Sequence, residues 1–316
     1  MNILITGASG FVGQAFCKFL SQKEEVKLIV GASRSKIEIK GCHKTVNLDG
    51  NNNRLTAQDQ LVKDLQNIDV VVHLAGRAHV MKDTESDIET AYHEVNVEYT
   101  CKLAEAAAQS GVKRLVFLSS IKVNGESTIH PFVVDDMPSP EDAYGRSKLA
   151  AEKCLFKIAK SSTLEVAIVR PALVYGEGVK GNLLSLQKLI KKRVPLPFGA
   201  MRNKRNLCSL DALCDLIWLC TIHPDAANQI FLAADAKQIS SVELVNALAN
   251  GLGVQARLVK LPQSLLKLMG FCLGKRDQVA RVLGNLEVDV EFTSRTLGWI
   301  PEQDTQAALA RMVSSK

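Results

Sequence analysis

The stretch "NILITGASGFVG", residues 2–13, decides the fold of this chain. A run of β-branched and apolar residues leads into a turn with glycines at positions 7, 10 and 13, and a helical pattern starts at Phe11. Such glycines permit a tight turn, close approach of the backbone to a phosphate, and close packing of helix on strand. We therefore predict a dinucleotide-binding loop, formed by Gly7, Ser9, Gly10, Phe11, Val12 and Gly13.

The alternation of strand and helix patterns that begins at this loop continues through the first half of the chain. Near-continuous apolar runs, typical of strands covered on both faces, recur at residues 26–30, 70–75, 114–119 and 165–170. Helical patterns lie between them and begin near Phe11, Thr56, Asp87 and Ala143. This alternation predicts an α/β fold with a Rossmann-type, doubly wound parallel sheet. We place an NAD(P)-binding domain at 1–175 and a smaller, mostly helical substrate-binding lobe at 176–316, and expect the chain to re-enter the main domain at least once.

Composition excludes several classes of protein. Of the 316 residues 47% are hydrophobic and 23% charged, which is typical of a globular chain. The opening "MNILITG" leaves no room for a signal peptide, so we expect a cytoplasmic protein without stable membrane insertion. The apolar run "LLKLMGFCLG", residues 265–274, is expected to pack in a core or an interface. The net charge of +6 is not interleaved with aromatic residues, which favours an anionic small molecule over nucleic acid.

Cysteines and histidines indicate neither disulfides nor metal. The eight cysteines form no CxxC pair and mostly lie in apolar runs, so we expect reduced core residues. The six histidines show no ligand spacing, and no metal site is predicted. His73, on an apolar strand, is expected to be a satisfied buried residue.

The residues at the end of the second strand indicate which of the two cofactors, NAD or NADP, is preferred. An acidic residue there would hold the ribose 2′-hydroxyl of NAD, but the sequence is "VGASRS", residues 30–35. Ser33 and Arg34 instead suit a 2′-phosphate, which favours NADP slightly over NAD.

The segment "DAYGRSKLAAEK", residues 142–153, supplies candidate chemistry. Tyr144 and Lys148 are four positions apart and therefore share one helical face. A lysine ammonium, together with an oxidised nicotinamide, favours the phenolate and lowers the pKa of the tyrosine. Tyr144 can then exchange a proton with a substrate hydroxyl.

In this order and spacing the motifs resemble an extended short-chain dehydrogenase/reductase of the nucleotide-sugar epimerase/dehydratase family, over nearly the whole chain. Within that family the chain is similar to UDP-hexose 4-epimerases and 4-ketoreductases of bacterial surface-polysaccharide synthesis. The motifs are "TGASGFVG" (6–13), "VNLDG" (46–50), "HLAG" (73–76), Asn96, "LSSIKVNG" (118–125), "YGRSK" (144–148), "RPALVYG" (170–176), Asn182, Arg205 and "LGWIP" (297–301).

The resemblance implies a role for each matching residue. Ser120 joins Tyr144 and Lys148 as the catalytic group that holds the reacting oxygen. Cofactor contacts are implied for Arg34, Leu48, Asp49, Leu74, Ala75, Gly76, Asn96, Tyr144, Lys148 and Pro171, besides the glycine loop. Substrate contacts are implied for His79, Ser120, Lys122, Asn182 and Arg205. The family's members also form dimers, so a homodimer is expected.

Two residues after Ser120 separate the possible reactions. The family's 4,6-dehydratases carry Asp and Glu there, whereas this chain has Ile121 and Lys122, which disfavours dehydration. A 4-epimerase of UDP-glucose or UDP-N-acetylglucosamine and an NADPH-dependent 4-ketoreductase of a UDP-4-keto-6-deoxy-hexosamine both stay open, the epimerase slightly ahead. A non-catalytic NAD(P)-sensing protein is a third alternative, disfavoured because Tyr144 and Lys148 are both present.

Overall fold

A computed structural model describes residues 1–33, 38–46, 58–78, 88–272, 274, 279–280 and 283–314. Its strands are β1 (Asn2–Thr6), β2 (Leu28–Ala32), β3 (Lys44–Val46), β4 (Val70–His73), β5 (Arg114–Leu118), β6 (Glu165–Pro171), β7 (Leu173–Tyr175), β8 (Leu207–Ser209) and β9 (Gln229–Ala233). Its helices are α1 (Phe11–Leu20), α2 (Gln58–Asp64), α3 (Ile88–His93), α4 (Tyr99–Gln109), α5 (Ala143–Lys160), α6 (Gly181–Lys191), α7 (Leu210–Ile222), α8 (Ser241–Gly251), α9 (Gln263–Cys272), α10 (Glu291–Leu297) and α11 (Thr305–Ser314). A π-helical turn (Glu94–Glu98) joins α3 to α4, and short 3₁₀ turns cover Ile121–Val123 and Pro224–Ala226.

Seven parallel strands form the main sheet, in the order β3-β2-β1-β4-β5-β6-β9. The order reverses between β1 and β4, which is the doubly wound arrangement that the apolar runs predicted. The prediction of a Rossmann-type parallel sheet with a helical C-terminal part is therefore confirmed. A separate pair, β7-β8, is also parallel.

Helices cover both faces of the sheet because its strands are apolar on both sides. On one face α1 and α7 pack through residues such as Phe16, Leu213 and Ile217. On the other face α2, α4 and α5 pack through Leu61, Leu103 and Leu155, among others. A third cluster joins α6, α8 and α11.

The last sheet strand comes from late in the chain. β9 pairs with β6 from Ala167 opposite Gln229 to Pro171 opposite Ala233, so the chain returns to the sheet after α6 and α7. The division of the chain at residue 175 stays a prediction.

Two cysteines differ from their predicted state. Cys101 on α4 and Cys154 on α5 form a disulfide, so the expectation that all eight are reduced is wrong for this pair. The two helices pack side by side, which brings the two thiols together although 53 positions separate them in sequence. The other six are free, and four of them are buried.

The apolar run of α9 is only partly buried within the chain. Leu266 packs in the core, whereas Leu265, Leu268 and Phe271 are exposed, so for these three the predicted packing in an interface stays a prediction. Within the described part of the chain, no helix combines the length and apolar character needed to span a bilayer. The homodimer and the cytoplasmic location stay predictions.

Candidate functional site

The glycine loop lies where β1 ends and α1 begins. Gly7 has φ +67°, and a Cβ there would lie 2.7 Å from the backbone nitrogen of Ala75. A Cβ on Gly13 would lie 2.2 Å from the carbonyl oxygen of Gly7. Gly10 caps α1 without any side-chain hydrogen bond, so the first amide groups of this ten-residue helix have no side-chain acceptor. The loop therefore fits the pyrophosphate of a dinucleotide, as its sequence predicts.

The ends of β1 and β4 are held together by a buried polar chain. Thr6 and His73 lie opposite each other in the sheet, and the His73 Nε2 is 2.8 Å from the Thr100 hydroxyl. The Thr6 hydroxyl accepts a hydrogen bond from the amide of Ala75 at 3.2 Å. Burial, together with the positive charge of Lys148, lowers the pKa of His73 to about 3. His73 is therefore a neutral, structural residue, and the chain fixes Leu74, Ala75 and Gly76 beside the glycine loop.

Asn96 braces the same edge from the π-helical turn. Its Oδ1 accepts from the Arg77 amide at 2.7 Å, and its Nδ2 donates to the Arg77 carbonyl at 3.1 Å and to the Ser147 hydroxyl at 2.9 Å. A Cβ on Gly76 would be 3.2 Å from both the Asn96 Oδ1 and the Lys148 Nζ. Asn96 thus ties the loop after β4 to the helix that carries the candidate catalytic residues, whereas its predicted cofactor contact stays a prediction.

Ser120, Tyr144 and Lys148 come together at the adjacent strand end. Ser120 follows β5 and caps the 3₁₀ turn that begins at Ile121. Asp142 caps α5 by accepting from the Gly145 amide at 2.7 Å, so Tyr144 lies in the first turn and Lys148 one turn later. The Tyr144 phenol is hydrogen-bonded to Ser120, and the Lys148 Nζ lies 5.9 Å from the centre of the tyrosine ring. The three predicted catalytic side chains are therefore neighbours.

Burial dominates the ionisation of Tyr144. It raises the pKa of the phenol to about 12, the Ser120 hydrogen bond opposes this rise, and the nearby Asp142 and Tyr92 add to it. The expectation that Lys148, together with an oxidised nicotinamide, lowers this pKa stays a prediction. The lysine Nζ donates to the Leu118 carbonyl at 2.9 Å and lies 4.5 Å from the Phe117 ring centre.

Lys148 has an unusually low basicity. It is only 4% exposed, and burial lowers its pKa to about 8, partly offset by the carboxylate of Glu152. An ammonium group buried in this way can contact a neighbouring group or a ligand, and it has little contact with solvent.

The two positions after Ser120, at which dehydratases differ from the other candidate reactions, hold Ile121 and Lys122. Ile121 is 4% exposed and has no proton to give. The Lys122 ammonium forms ion pairs with Asp142 and, at 2.9 Å, with Glu126. Lys122 thus neutralises the carboxylate that caps α5.

The two substrate-binding residues predicted in the second lobe, Arg205 and Asn182, lie in different environments. Arg205 is half-buried and donates to the Gly284 carbonyl at 3.0 Å. Burial lowers the pKa of its guanidinium, and the negative charge of Glu126 opposes this shift. Through Glu126 and Lys122 it is electrostatically linked to the catalytic helix. Asn182 is exposed in the first turn of α6, and among the described residues no hydrogen bond joins it to the catalytic side chains.

The other predicted contacts divide into two groups. Pro171 is the buried last residue of β6, at the same sheet edge as Ser120. Arg34, Leu48, Asp49 and His79 lie outside the described residues. All these contacts stay predictions.

Sequence reasoning missed a buried network beneath the candidate catalytic residues. Glu152, one turn after Lys148, binds Arg170 at 3.0 and 2.6 Å, and both side chains are 2% exposed. The Ser119 hydroxyl also donates to Glu152, while Arg170 donates to the Asn124 Oδ1 at 3.0 Å. The available signal was the arginine inside the apolar strand "EVAIVRP", because a buried charge requires a partner.

Known proteins are similar to this chain in sequence and in fold. The model of the NAD dependent epimerase/dehydratase family matches residues 3–234. A UDP-glucose 4-epimerase of Vibrio cholerae is 45% identical over 308 residues, which cover 96% of this chain and 92% of that protein. An N-acetyl-alpha-D-glucosaminyl-diphospho-ditrans,octacis-undecaprenol 4-epimerase of Escherichia coli O157:H7 is 26% identical over 90% of this chain and 81% of its own. The structure of MoeE5 in complex with UDP-glucose and NAD superposes with a TM-score of 0.79 at 24% identity, over 99% of this chain and 97% of that one.

Proposed function

The chain belongs to the NAD-dependent epimerase/dehydratase family, and from this premise we propose that it is a UDP-hexose 4-epimerase. The observation that carries the proposal is the meeting of Ser120, Tyr144 and Lys148 beside a buried Ile121. The first three residues provide proton transfer at a sugar hydroxyl, and the isoleucine removes the acid that dehydration needs. The 45% identical UDP-glucose 4-epimerase supports the same reaction.

The residues present fit a bound dinucleotide. Gly7 and Gly13 leave spaces that a Cβ would fill, and the first turn of α1 has no side-chain cap. These groups would hold the pyrophosphate, and Lys148 would hold the nicotinamide ribose. When bound, the nicotinamide supplies the oxidation and reduction at C4 of the sugar.

Residues of the chain itself transfer the proton of the C4 hydroxyl. Tyr144 accepts the proton of the C4 hydroxyl and later returns it, while Ser120 holds the same oxygen by a hydrogen bond. Because burial raises the pKa of Tyr144 to about 12, the phenolate requires a nearby positive charge in the loaded enzyme. Lys148 is already within 5.9 Å of the ring centre and can take part in that stabilisation.

A 4-ketoreductase that uses NADPH is the second candidate. The observation in its favour is the absence of an acidic residue directly after β2, where Ser33 and Arg34 follow Ala32. The Ser33 hydroxyl is 3.0 Å from that of Ser9, so position 33 borders the phosphate loop. A carboxylate at this position would repel a ribose 2′-phosphate, and without one the 2′-phosphate would be tolerated.

Two measurements test the proposal. The nucleotide released on denaturing the purified protein is identified by mass, and turnover is assayed with UDP-glucose and UDP-N-acetylglucosamine. Retained NAD with interconversion of the C4 epimers supports the epimerase, whereas an empty site with preferred binding of NADPH supports the ketoreductase.

The variant Tyr144→Phe should lower the rate by about 10²- to 10⁴-fold, the usual loss for a missing general acid or base. Tyr99→Phe makes the same change at a buried tyrosine of α4 and should leave the rate nearly unchanged. Absence of turnover in the parent chain, together with full biological activity of Tyr144→Phe, would refute both reactions and favour a non-catalytic NAD(P)-sensing protein.

A further inference from the structure

Two segments of the C-terminal part form a surface unlike the rest of the molecule. Residues 188–194 end α6, and residues 257–272 end in α9. We call the exposed side chains of these two segments the α6–α9 surface. It combines apolar and basic side chains, and both segments lack Asp and Glu.

The apolar component is unusually exposed. Six of the fourteen large hydrophobic side chains that are exposed in the described part of the chain belong to these 23 positions. Phe271 is 69% exposed and Leu268 58%, and both lie on α9. The other four are Leu189, Val194, Val259 and Leu265. Exposed apolar groups concentrated in this way indicate an interaction site.

The basic component is equally concentrated, and every member is exposed. It consists of Lys188, Lys191, Lys192, Arg193, Arg257, Lys260 and Lys267.

The start of the second segment lies beside the chain that directly follows the first. Leu196, two residues after the first segment, donates its amide to the Arg257 carbonyl at 2.8 Å, and its carbonyl accepts from the Val259 amide at 2.8 Å. A cavity of about 430 Å³ lies at this junction and is lined by both Arg193 and Arg257. Its size and its two guanidinium groups suit a phosphate-bearing headgroup.

We propose that the α6–α9 surface docks the protein peripherally on an anionic lipid bilayer. Leu265, Leu268 and Phe271 enter the interfacial region, and the lysines and arginines contact lipid phosphates. This goes beyond the proposed function, because it concerns where the enzyme works and not what it converts.

Other occupants match the surface less well. A second copy docked through the same surface would bring two sets of seven cations together, which is repulsive. A polyanion without an apolar phase would leave Leu268 and Phe271 in water. An anionic bilayer offers both a negative surface and an apolar layer.

Co-sedimentation with vesicles tests the proposal. The full chain should pellet with vesicles of phosphatidylcholine and phosphatidylglycerol in equal parts, and only weakly with phosphatidylcholine alone. Arg193→Gln with Arg257→Gln should weaken binding about fivefold for each lost charge. Leu268→Ser with Phe271→Ser should weaken it on the order of tenfold.

Matched variants elsewhere on the surface serve as controls. Ile129→Ser with Met137→Ser removes two side chains that are 91% and 88% exposed, and Lys157→Gln with Lys160→Gln removes two exposed charges of α5. Both controls should bind like the parent chain, and all variants should keep their far-UV circular dichroism and their turnover of soluble substrate.

Three results would overturn the proposal. These are equal binding to neutral and anionic vesicles, unchanged binding of both surface variants, and a dimer in solution that Leu268→Ser with Phe271→Ser dissociates while vesicle binding is absent.

Discussion

Replacing Glu152 by Gln tests the buried network beneath the catalytic helix. The change keeps the size of the side chain but removes the negative charge that faces Arg170. Because both side chains are 2% exposed, water cannot replace the lost carboxylate. The guanidinium is left as an uncompensated buried charge, which is among the most destabilising changes in a protein core.

The expected size of the effect follows from burial. Breaking a fully buried ion pair by removing one partner costs about 3–5 kcal/mol of unfolding free energy. The chain offers a matched control in Arg114 and Glu165, whose closest contact is also 2.6 Å. There the glutamate side chain is 43% exposed, so Glu165→Gln should cost about 1 kcal/mol or less.

Urea unfolding at neutral pH measures both variants, followed by tryptophan fluorescence and far-UV circular dichroism. The double variant Glu152→Gln with Arg170→Met removes the stranded charge and should recover part of the loss. Equal losses for Glu152→Gln and Glu165→Gln would refute the reasoning, because burial would then not determine the cost.

The remaining predictions concern the catalytic tyrosine, the glycine loop and a buried histidine. Lys122→Met leaves the Asp142 carboxylate unneutralised and should raise the pKa of Tyr144 further, which shifts the pH–rate profile to higher pH and lowers the rate at neutral pH. Gly13→Ala places a Cβ 2.2 Å from a backbone oxygen, so dinucleotide affinity in a fluorescence titration should fall sharply. His73 has a native pKa of about 3, below its unfolded value of 6.5, so the unfolded chain binds the extra proton below about pH 6.5. The unfolding free energy should therefore fall by about 2 kcal/mol between pH 7 and pH 5, as measured by urea unfolding.

Each of these predictions has its own control. Lys153→Met removes an exposed charge of the same helix as Tyr144 and should not move the pH–rate profile. Gly10→Ala brings the new Cβ only to 3.0 Å from its nearest neighbour, so it should be milder than Gly13→Ala, and the reverse order would contradict the packing argument. His73→Gln should abolish its share of the pH dependence; an unchanged slope would assign that slope to other groups.

The main strands were predictable because burial on both faces makes them continuously apolar. β1, β4, β5 and β6 lie where their apolar runs predict. Two strands of the main sheet were not located from the sequence, and neither was the separate pair β7-β8. β3 has only three residues and no buried position, and β9, "QIFLA", is a short run within a region of mostly helical pattern. Their pairing with β2 and β6 comes from tertiary contacts that no local pattern records.

The candidate site was predictable as far as local spacing reaches. Tyr144 and Lys148 share a face because four residues make about one helical turn. The ionisation of Tyr144 was not predictable, since it depends on burial by elements distant in sequence. The pairing of Glu152 with Arg170 links α5 to β6, and sequence spacing alone cannot supply that contact.

The π-helical turn at Glu94–Glu98 restricts how this chain can change length during evolution. Such a turn winds one residue more than an α-helical turn into nearly the same rotation, so it holds the extra residue without turning α3 relative to α4. A one-residue deletion in α4, where the winding is already α-helical, would instead rotate the preceding segment by about 100°. Tyr92 would then leave the Tyr144 ring, whose centre is 6.0 Å from its own, and Asn96 would lose its hold on the loop after β4. A change of length by one residue can therefore be absorbed within the turn, whereas the same change in α4 would separate these contacts.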